Sequence, residues 1–193
     1  MWDRIAERYR KWAELNRWYY RAFAREISKH VDPKLIIDIC SGPGILKEEL
    51  EDFFPEAEIV CIDSSKEMCR IAKGILADAT ELPFKNGIFD LAVFCFALHE
   101  LDVEKALKEA ERILKRNGIL AIADLNSEVP LPIKMISETF LSFILGLEYA
   151  TNLSKKWKDF HRVEEIALIL EKKGFDIEHC RKGFDFWIIA KKI

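Results

Sequence analysis

A chain of 193 residues, half of them apolar and a third charged, has the balance of one compact folded domain and excludes a disordered or low-complexity protein. Its net charge of −3 gives no global attraction to nucleic acid, although it leaves room for a local basic patch. No apolar run reaches the roughly 18 residues that span a bilayer, and Met1-Trp2-Asp3-Arg4 opens a charged segment rather than a leader, so a cytoplasmic address is expected.

Residues 1 to 30 carry a basic excess. Arg4, Arg8, Arg10, Lys11, Arg17, Arg21, Arg25 and Lys29 outnumber Asp3, Glu7, Glu14 and Glu26, with Trp2, Tyr9, Trp12, Trp18, Tyr19 and Tyr20 interleaved. This reads as an amphipathic helical cap with a solvated basic face, its Trp18, Tyr19 and Tyr20 docking on the core. Asp32-Pro33 breaks the pattern, and Leu35 to Cys40 is a strand buried on both faces, because its apolar residues are continuous rather than alternating. A glycine turn and a helix through Leu50 follow. Glu58 to Ile62 is a second buried strand, and Asp63-Ser64-Ser65 supplies short polar caps for a helix running to about Lys73. Ile75-Leu76-Ala77 is a short third strand, and Phe89 to Phe96 a fourth after the Asn86-Gly87 turn.

Apolar residues at helical spacing predict a helix from Val103 to Arg116, stopped by Asn117-Gly118, and Ile119 to Ala123 is a fifth strand. Strands that alternate with helices imply a parallel sheet, because parallel neighbours need long right-handed crossovers. Residues 125 to 160 fit this alternation poorly. Pro130 and Pro132 interrupt the start, and Phe140 to Leu147 is strongly apolar, so an inserted helical element is expected: a buried core helix, a lid or a dimer contact, in that order. A helix from Val163 to Lys173 then leads to two strands, Phe175 to Cys180 and Phe184 to Ala190. Their short Lys182-Gly183 turn makes them antiparallel. Nothing marks a domain boundary, so residues 1–193 are read as a single domain of α/β class, with helices and a mixed sheet.

The turn Asp38-Ile39-Cys40-Ser41-Gly42-Pro43-Gly44 ends the first strand, where an open α/β sheet presents free backbone N–H groups to a ligand. Gly42 and Gly44 permit close approach of a ligand to the main chain. Asp63 lies 25 positions beyond Asp38 at the end of the second strand, where a carboxylate can accept two hydrogen bonds from a ribose diol. Asp78 could accept from an adenine amine, with Leu82, Pro83 and Phe84 as an apolar edge. The spacing fails for a nicotinamide site, because Lys47 stands where Gly-x-Gly-x-x-Gly needs its third glycine.

These motifs together resemble class I S-adenosylmethionine-dependent methyltransferases. The turn from Asp38 to Gly44 is similar to that family's Asp/Glu-x-Gly-x-Gly-x-Gly motif, Ile62 to Met68 to its second-strand motif, Ala77 to Phe84 to its adenine motif and Phe89 to Val93 to its fourth strand. Leu114 to Gly118 resembles the turn before the fifth. The resemblance spans about residues 35 to 125 and is strongest toward the small-molecule methyltransferases of ubiquinone and menaquinone biosynthesis. It implies a Rossmann-like seven-stranded mixed sheet with the last strand antiparallel and helices on both faces. It also implies S-adenosylmethionine as cofactor. By position, Asp38 would organise the loop near the methionine moiety, together with Cys40, Ser41, Gly42 and Gly44. Asp63 and the neighbouring Ser64 would serve the ribose, Asp78 and the Ala79 amide the adenine, Met68 would pack beside that ring, and the Cys95 backbone would lie near the methionine amine. One departure is Cys40, which replaces the first glycine and must tolerate its backbone. Tyr9 falls in Ala6-Glu7-Arg8-Tyr9, which resembles the family's Ala-x-x-Tyr-Asp segment with Arg10 in place of Asp.

Methyl transfer from a sulfonium chiefly needs alignment of two reactants and exclusion of water. His99, after the fourth strand, is the candidate base, with a pocket-lining role as the alternative. The five cysteines form no Cys-x-x-Cys pair and are read as reduced thiols, and His30, His161 and His179 are scattered without ligand spacing, so no metal is inferred. The expected acceptor is an apolar small molecule. Methylation of RNA or protein is the alternative, motivated by the basic N-terminus and weakened by the absence of an Asn/Asp-Pro-Pro-Tyr/Phe signature after the fourth strand; a third reading is a regulatory module that binds the cofactor without catalysis.

Overall fold

The continuous apolar runs become inner strands because helices cover both faces of the sheet. The computed structural model describes residues 1–193. Its strands are β1 (Leu35–Ile39), β2 (Glu58–Asp63), β3 (Ile75–Leu76), β4 (Phe89–Cys95), β5 (Leu114–Leu125), β6 (Phe175–Lys182) and β7 (Asp185–Lys192). They form one seven-stranded sheet in the order β3-β2-β1-β4-β5-β7-β6. β1 to β5 pair in parallel, and β7 inserts antiparallel between β5 and β6. The order reverses direction between β1 and β4, and that switch point is where an open α/β sheet leaves a crevice at its strand C-termini.

The helices are α1 (Trp2–Leu15), α2 (Arg17–Ile27), α3 (Ile45–Phe53), α4 (Lys66–Ala72), α5 (Val103–Ile113), α6 (Leu131–Leu145), α7 (Leu147–Asp159) and α8 (Val163–Lys172). Successive strand residues face opposite layers. Ile37, Phe94, Leu120 and Ile188 pack with α5, α7 and α8, while Ile36, Val93, Ala121 and Ile189 pack with α2 and α3.

Three elements differ from the sequence expectation. The N-terminal cap is two helices, because Asn16 leaves helical geometry (φ −105°, ψ 17°) and its side chain bonds back to the Trp12 carbonyl at 2.8 Å. Arg17 and Arg21 then clamp α2 to α3 through the buried Glu49, both at 2.8 Å. Trp18 does not dock on the core; it stays exposed, whereas Tyr20 and Phe23 are buried. The helix from Val103 ends at Ile113 rather than Arg116. Leu114 is already extended and pairs with Phe89, and residues 115–118 form the irregularity before Ile119 pairs with Leu91, with Asn117 left-handed at φ +63°.

The inserted segment is helical, but its apolar run is not a buried core helix. α6 is apolar on every side, so Ile136, Phe140 and Phe143 remain exposed, and Leu145 is its one buried residue. Gly146, at φ +100°, separates α6 from α7, which supplies the buried Tyr149, Leu153 and Trp157 instead. No helix is long and apolar enough to cross a membrane.

Candidate active site

The turn after β1 is built on left-handed backbone: Cys40 sits at φ +58°, Gly42 at +53° and Gly44 at +84°. Only glycine adopts this region without cost, so Cys40 holds a strained conformation of the kind found at functional sites. A side chain at Gly44 would meet the Ala72 Cβ at 3.0 Å. That glycine therefore serves the close packing of α3 on α4, and it does not line the cavity. Asp63 braces two turns, accepting from the Gly42 amide at 2.9 Å and the Ser65 amide at 2.8 Å. Ser65 caps α4 through the Met68 amide, and its hydroxyl donates to Asp3 of α1 at 2.6 Å, which ties the N-terminal cap over the turn.

These turns enclose a cavity of about 230 Å³. Asp38, Cys40, Ser41, Gly42, Asp63, Ser64, Met68 and Cys95 line it, and Tyr9 and Trp2 reach it from α1. Inside, Asp38 Oδ2 and Ser41 Oγ are buried without a hydrogen-bond partner. Burial, followed by the neighbouring Asp63 charge, pushes Asp38 up to about 8 against the opposing pull of Lys47. An orphaned buried carboxylate oxygen calls for a donor or a cation from a ligand. Burial also raises Asp63 although the Ser65 and Gly42 amides pull it down. Each oxygen of Asp63 takes one of these amides, which leaves a second acceptor site on each for a diol.

Asp78 and Ala79 are not on this cavity wall. Asp78 is exposed, and its Oδ1 accepts from the Thr80 amide and hydroxyl at 2.8 Å, bonds that lower its pKa. Leu82 is buried in the core and Phe84 packs edge-on against Phe89 at 5.2 Å, so neither flanks the cavity. Burial holds the thiols of Cys40 and Cys95 above their usual range, so neither is a thiolate nucleophile. All five cysteines are free.

A second cavity of about 430 Å³ adjoins the first and shares Tyr9, Tyr20 and Phe96 with it. Its walls are mostly aromatic and aliphatic: Trp12, Tyr19, Phe140, Tyr149, Leu153, Trp157 and Trp187 contribute. His99, on a 3₁₀ turn (Leu98–Glu100), faces this second cavity rather than the first. Its Nδ1 lies 2.6 Å from Asp124 Oδ1 at the end of β5, while Nε2 stands 3.8 Å from Glu100. Burial pushes the imidazolium down, but the charge and hydrogen bond of Asp124, helped by Glu100, outweigh it and leave the His99 pKa raised. Glu100 lines the first cavity and pairs with Lys156 of α7. At the other end, Arg181 grips Asp185 with two bonds of 2.7 and 2.8 Å and lies 3.8 Å over the Trp187 ring. Tyr19 donates to Asp185 and accepts from Trp187 Nε1 at 2.7 Å.

Residues 37–122 match the family profile described as Methyltransferase domain. Over 92% of this chain and 87% of the relative, the sequence is 28% identical to the demethylmenaquinone methyltransferase of Thermotoga maritima. Together with the fold, these matches support an S-adenosylmethionine-dependent methyltransferase of class I. Among solved structures, a Haloferax volcanii methyltransferase in complex with the Trm112 methyltransferase activator superposes with a TM-score of 0.76 at 17% identity, covering 99% of this chain and 97% of that one. A Thermotoga maritima S-adenosylmethionine-dependent methyltransferase gives 0.72 at 23% identity over the same shares. Both share the fold.

As a methyltransferase the protein uses S-adenosylmethionine, and the first cavity offers what such a cofactor needs: an unpaired buried carboxylate, a second carboxylate with free acceptor sites and the apolar Met68. Sequence reasoning missed Trp2, Phe96, Glu100 and Leu101 on its wall and the whole Tyr19–Arg181–Asp185–Trp187 cluster. Phe96 did carry a signal of position, following β4 directly, but its left-handed φ of +53° is visible only in the fold.

Proposed function

We propose that this methyltransferase transfers a methyl group to an apolar, ring-containing small molecule bound in the aromatic cavity, with His99 as the base. The observation that carries this reading is the adjacency of the two cavities across Tyr9, Tyr20 and Phe96, one carrying the carboxylates and backbone turns at the strand ends, the other almost wholly apolar. S-adenosylmethionine supplies an electrophilic methyl on a sulfonium whose leaving group is a neutral thioether. Asp38 accepts from the cofactor's cationic end, Asp63 with the neighbouring Ser64 takes the ribose diol, Met68 packs on the adenine and the backbone at Cys40 to Gly42 and Cys95 carries the methionine part.

Asp124 fixes the His99 ring through Nδ1, so Nε2 is the nitrogen free to take a proton from an acidic O–H, N–H or C–H of the acceptor. The aromatic walls exclude water and hold the acceptor in line. A planar apolar acceptor of the kind named by the Thermotoga relative suits these walls, and α6 with α7 forms the lid over it. Calorimetry with S-adenosylmethionine, followed by transfer of labelled methyl to quinol-type and phenolic acceptors, RNA and protein, tests the reading. Label is expected in the small-molecule fraction. Label only in RNA or protein overturns the acceptor class, and no cofactor binding overturns the site.

A further inference from the structure

We propose that Glu26, His30 and His179 form a binding site for one divalent transition-metal ion of the zinc type, with Glu178 orienting His30. The site lies away from both cavities; none of these residues lines either one. Glu26 sits in the last turn of α2 and His30 four residues on, in the turn that continues it through bonds from the Lys29 and His30 amides to the Glu26 and Ile27 carbonyls. An i, i+4 spacing puts the two side chains on one face. His179 arrives from β6, 149 positions later, so the chain spacing could not reveal the group.

A β-bulge aims the strand residues. Ile177 pairs with Ala190 and His179 with Ile189, so Glu178 is the extra residue of β6. In a regular strand Glu178 and His179 would point to opposite faces. Here Glu178 Oε2 lies 3.1 Å from His30 Nδ1, and His179 Nδ1 lies 3.8 Å from Glu26 Oε1. Both side chains converge on the end of α2.

The donor set suits a borderline cation: two imidazoles and one carboxylate, with a coordination position left for water. All three ligand atoms lie within 4.8 Å of one another, and His30 Nε2 is 3.7 Å from Glu26 Oε1. Tetrahedral zinc with bonds of about 2.0–2.1 Å holds its ligand atoms about 3.3 Å apart, so each Glu–His distance needs to close by roughly 0.5 Å. Glu178 accepts from Nδ1–H of His30, which fixes the tautomer with Nε2 free toward Glu26. That carboxylate–imidazole pairing is how metal-bound histidines are commonly held. Lys29 engages the other Glu26 oxygen, Oε2, and leaves Oε1 to both histidines.

His179 is the second, independent sign. Its Nε2 is enclosed with no hydrogen-bond partner, and its Nδ1 is too far from Glu26 for a hydrogen bond. A ring with neither nitrogen bonded is costly when partly buried, and a metal held by Nδ1, the nitrogen turned toward Glu26, gives that nitrogen a partner. Occupation would tie the N-terminal cap to the edge strand of the sheet.

The experiment is titration of the tag-free full-length chain with zinc chloride, followed by calorimetry and thermal melting. One equivalent is expected, with a rise in Tm that grows with free zinc. His30→Asn, His179→Asn and Glu26→Gln should each weaken zinc binding at least about 10-fold, and Glu178→Gln by about 10-fold, as for outer partners of bound histidines. Cys180→Ser, on the adjacent exposed residue, should leave it unchanged, and affinity for S-adenosylmethionine should be the same in all five variants. Cobalt substitution in the wild-type chain gives an independent reading through the visible spectrum of a low-coordinate nitrogen and oxygen site. Absence of a stoichiometric zinc site, binding that survives His179→Asn, or binding lost with Cys180→Ser overturns the proposal.

Discussion

The more polar cavity is built around the turns after β1, β2 and β4, with side chains of α1 to α4 closing it, whereas the apolar cavity is walled mainly by side chains from α1, α2, α6, α7 and the β6–β7 hairpin. In the first, backbone amides and carboxylates act from positions set by the sheet; Asp63 alone braces two turns. In the second, contacts such as Tyr19 with Asp185 join residues 166 apart, and part of the cover is α6, which is weakly buried. The sheet fixes the groups of the first half, whereas the second half depends on packing between elements far apart in the chain.

The sharpest break of that division is His99→Ala. If His99 serves only the acceptor half, kcat should fall by about 10²- to 10⁴-fold while affinity for S-adenosylmethionine stays unchanged. Unchanged turnover with a quinol-type acceptor would return His99 to a lining role. The pH dependence has a definite sign. A base must be neutral, and the His99 pKa is raised, so kcat/KM should climb with pH through a value above the ordinary histidine range near 6.5. Asp124→Asn should move that limb to lower pH. In stability the same shift acts oppositely: the raised pKa stabilises the fold below about pH 6.5 and the contribution disappears as pH rises through the folded value.

Asp63→Asn tests the other half and ranks second. Loss of the charge should weaken cofactor binding by about 30- to 150-fold, or 2 to 3 kcal/mol, with kcat at saturating cofactor much less affected. The asparagine variant is the cleaner probe, because alanine would also leave the Gly42 and Ser65 amides unpaired at about 1–3 kcal/mol each. Isothermal titration on a variant with wild-type far-UV circular dichroism decides it, and unchanged affinity removes Asp63 from the ribose.

Third in size is a stability effect confined to the polar half. Asp38 is buried with its pKa near 8 in the ligand-free protein. Between about pH 4 and 8 the folded chain therefore holds a proton that the unfolded chain has released, so stability falls as pH rises through this window. Asp38→Asn should raise Tm by several degrees at pH 9 and barely at pH 4 in thermal melts without cofactor. It should also abolish any proton release on cofactor binding, read from calorimetry in buffers of different ionisation enthalpy. An equal Tm gain at both pH values would mean that packing, not charge, is responsible.

The same contrast explains what could be read from the chain. The strands, the turn at Asp38–Gly44 and the partner at Asp63 were legible because each is a local pattern: a continuous apolar run, a glycine pair, an acid at a strand end. Asp78 has the right spacing yet turns to its own Thr80, a choice that local hydrogen bonding makes. The split at Asn16, the exposure of α6 and the convergence of Glu26, His30 and His179 depend on which faces find neighbours, and no local pattern encodes that. Gly44, expected to admit a ligand to the main chain, is instead a glycine because of the close approach of Ala72.

Cys40, on the wall of the first cavity, is where the smallest effect is expected. It stands at φ +58° beside Asp63, and Phe96, across the strand pair β1–β4, stands at +53°. Non-glycine residues in this region cost about 1 kcal/mol or more. Cys40→Gly relieves that strain but frees the unfolded chain by about 0.5–1 kcal/mol, so the two should nearly cancel and Tm should move by no more than about 2–4 °C. Cofactor affinity should hold, because the thiol is protonated and its backbone is what the cavity uses. Cys40→Val forces a β-branched side chain into the same geometry and should lower Tm clearly. If Cys40→Gly instead impairs the cofactor site, the thiol is a working contact; if both variants melt alike, the turn relaxes and is not strained.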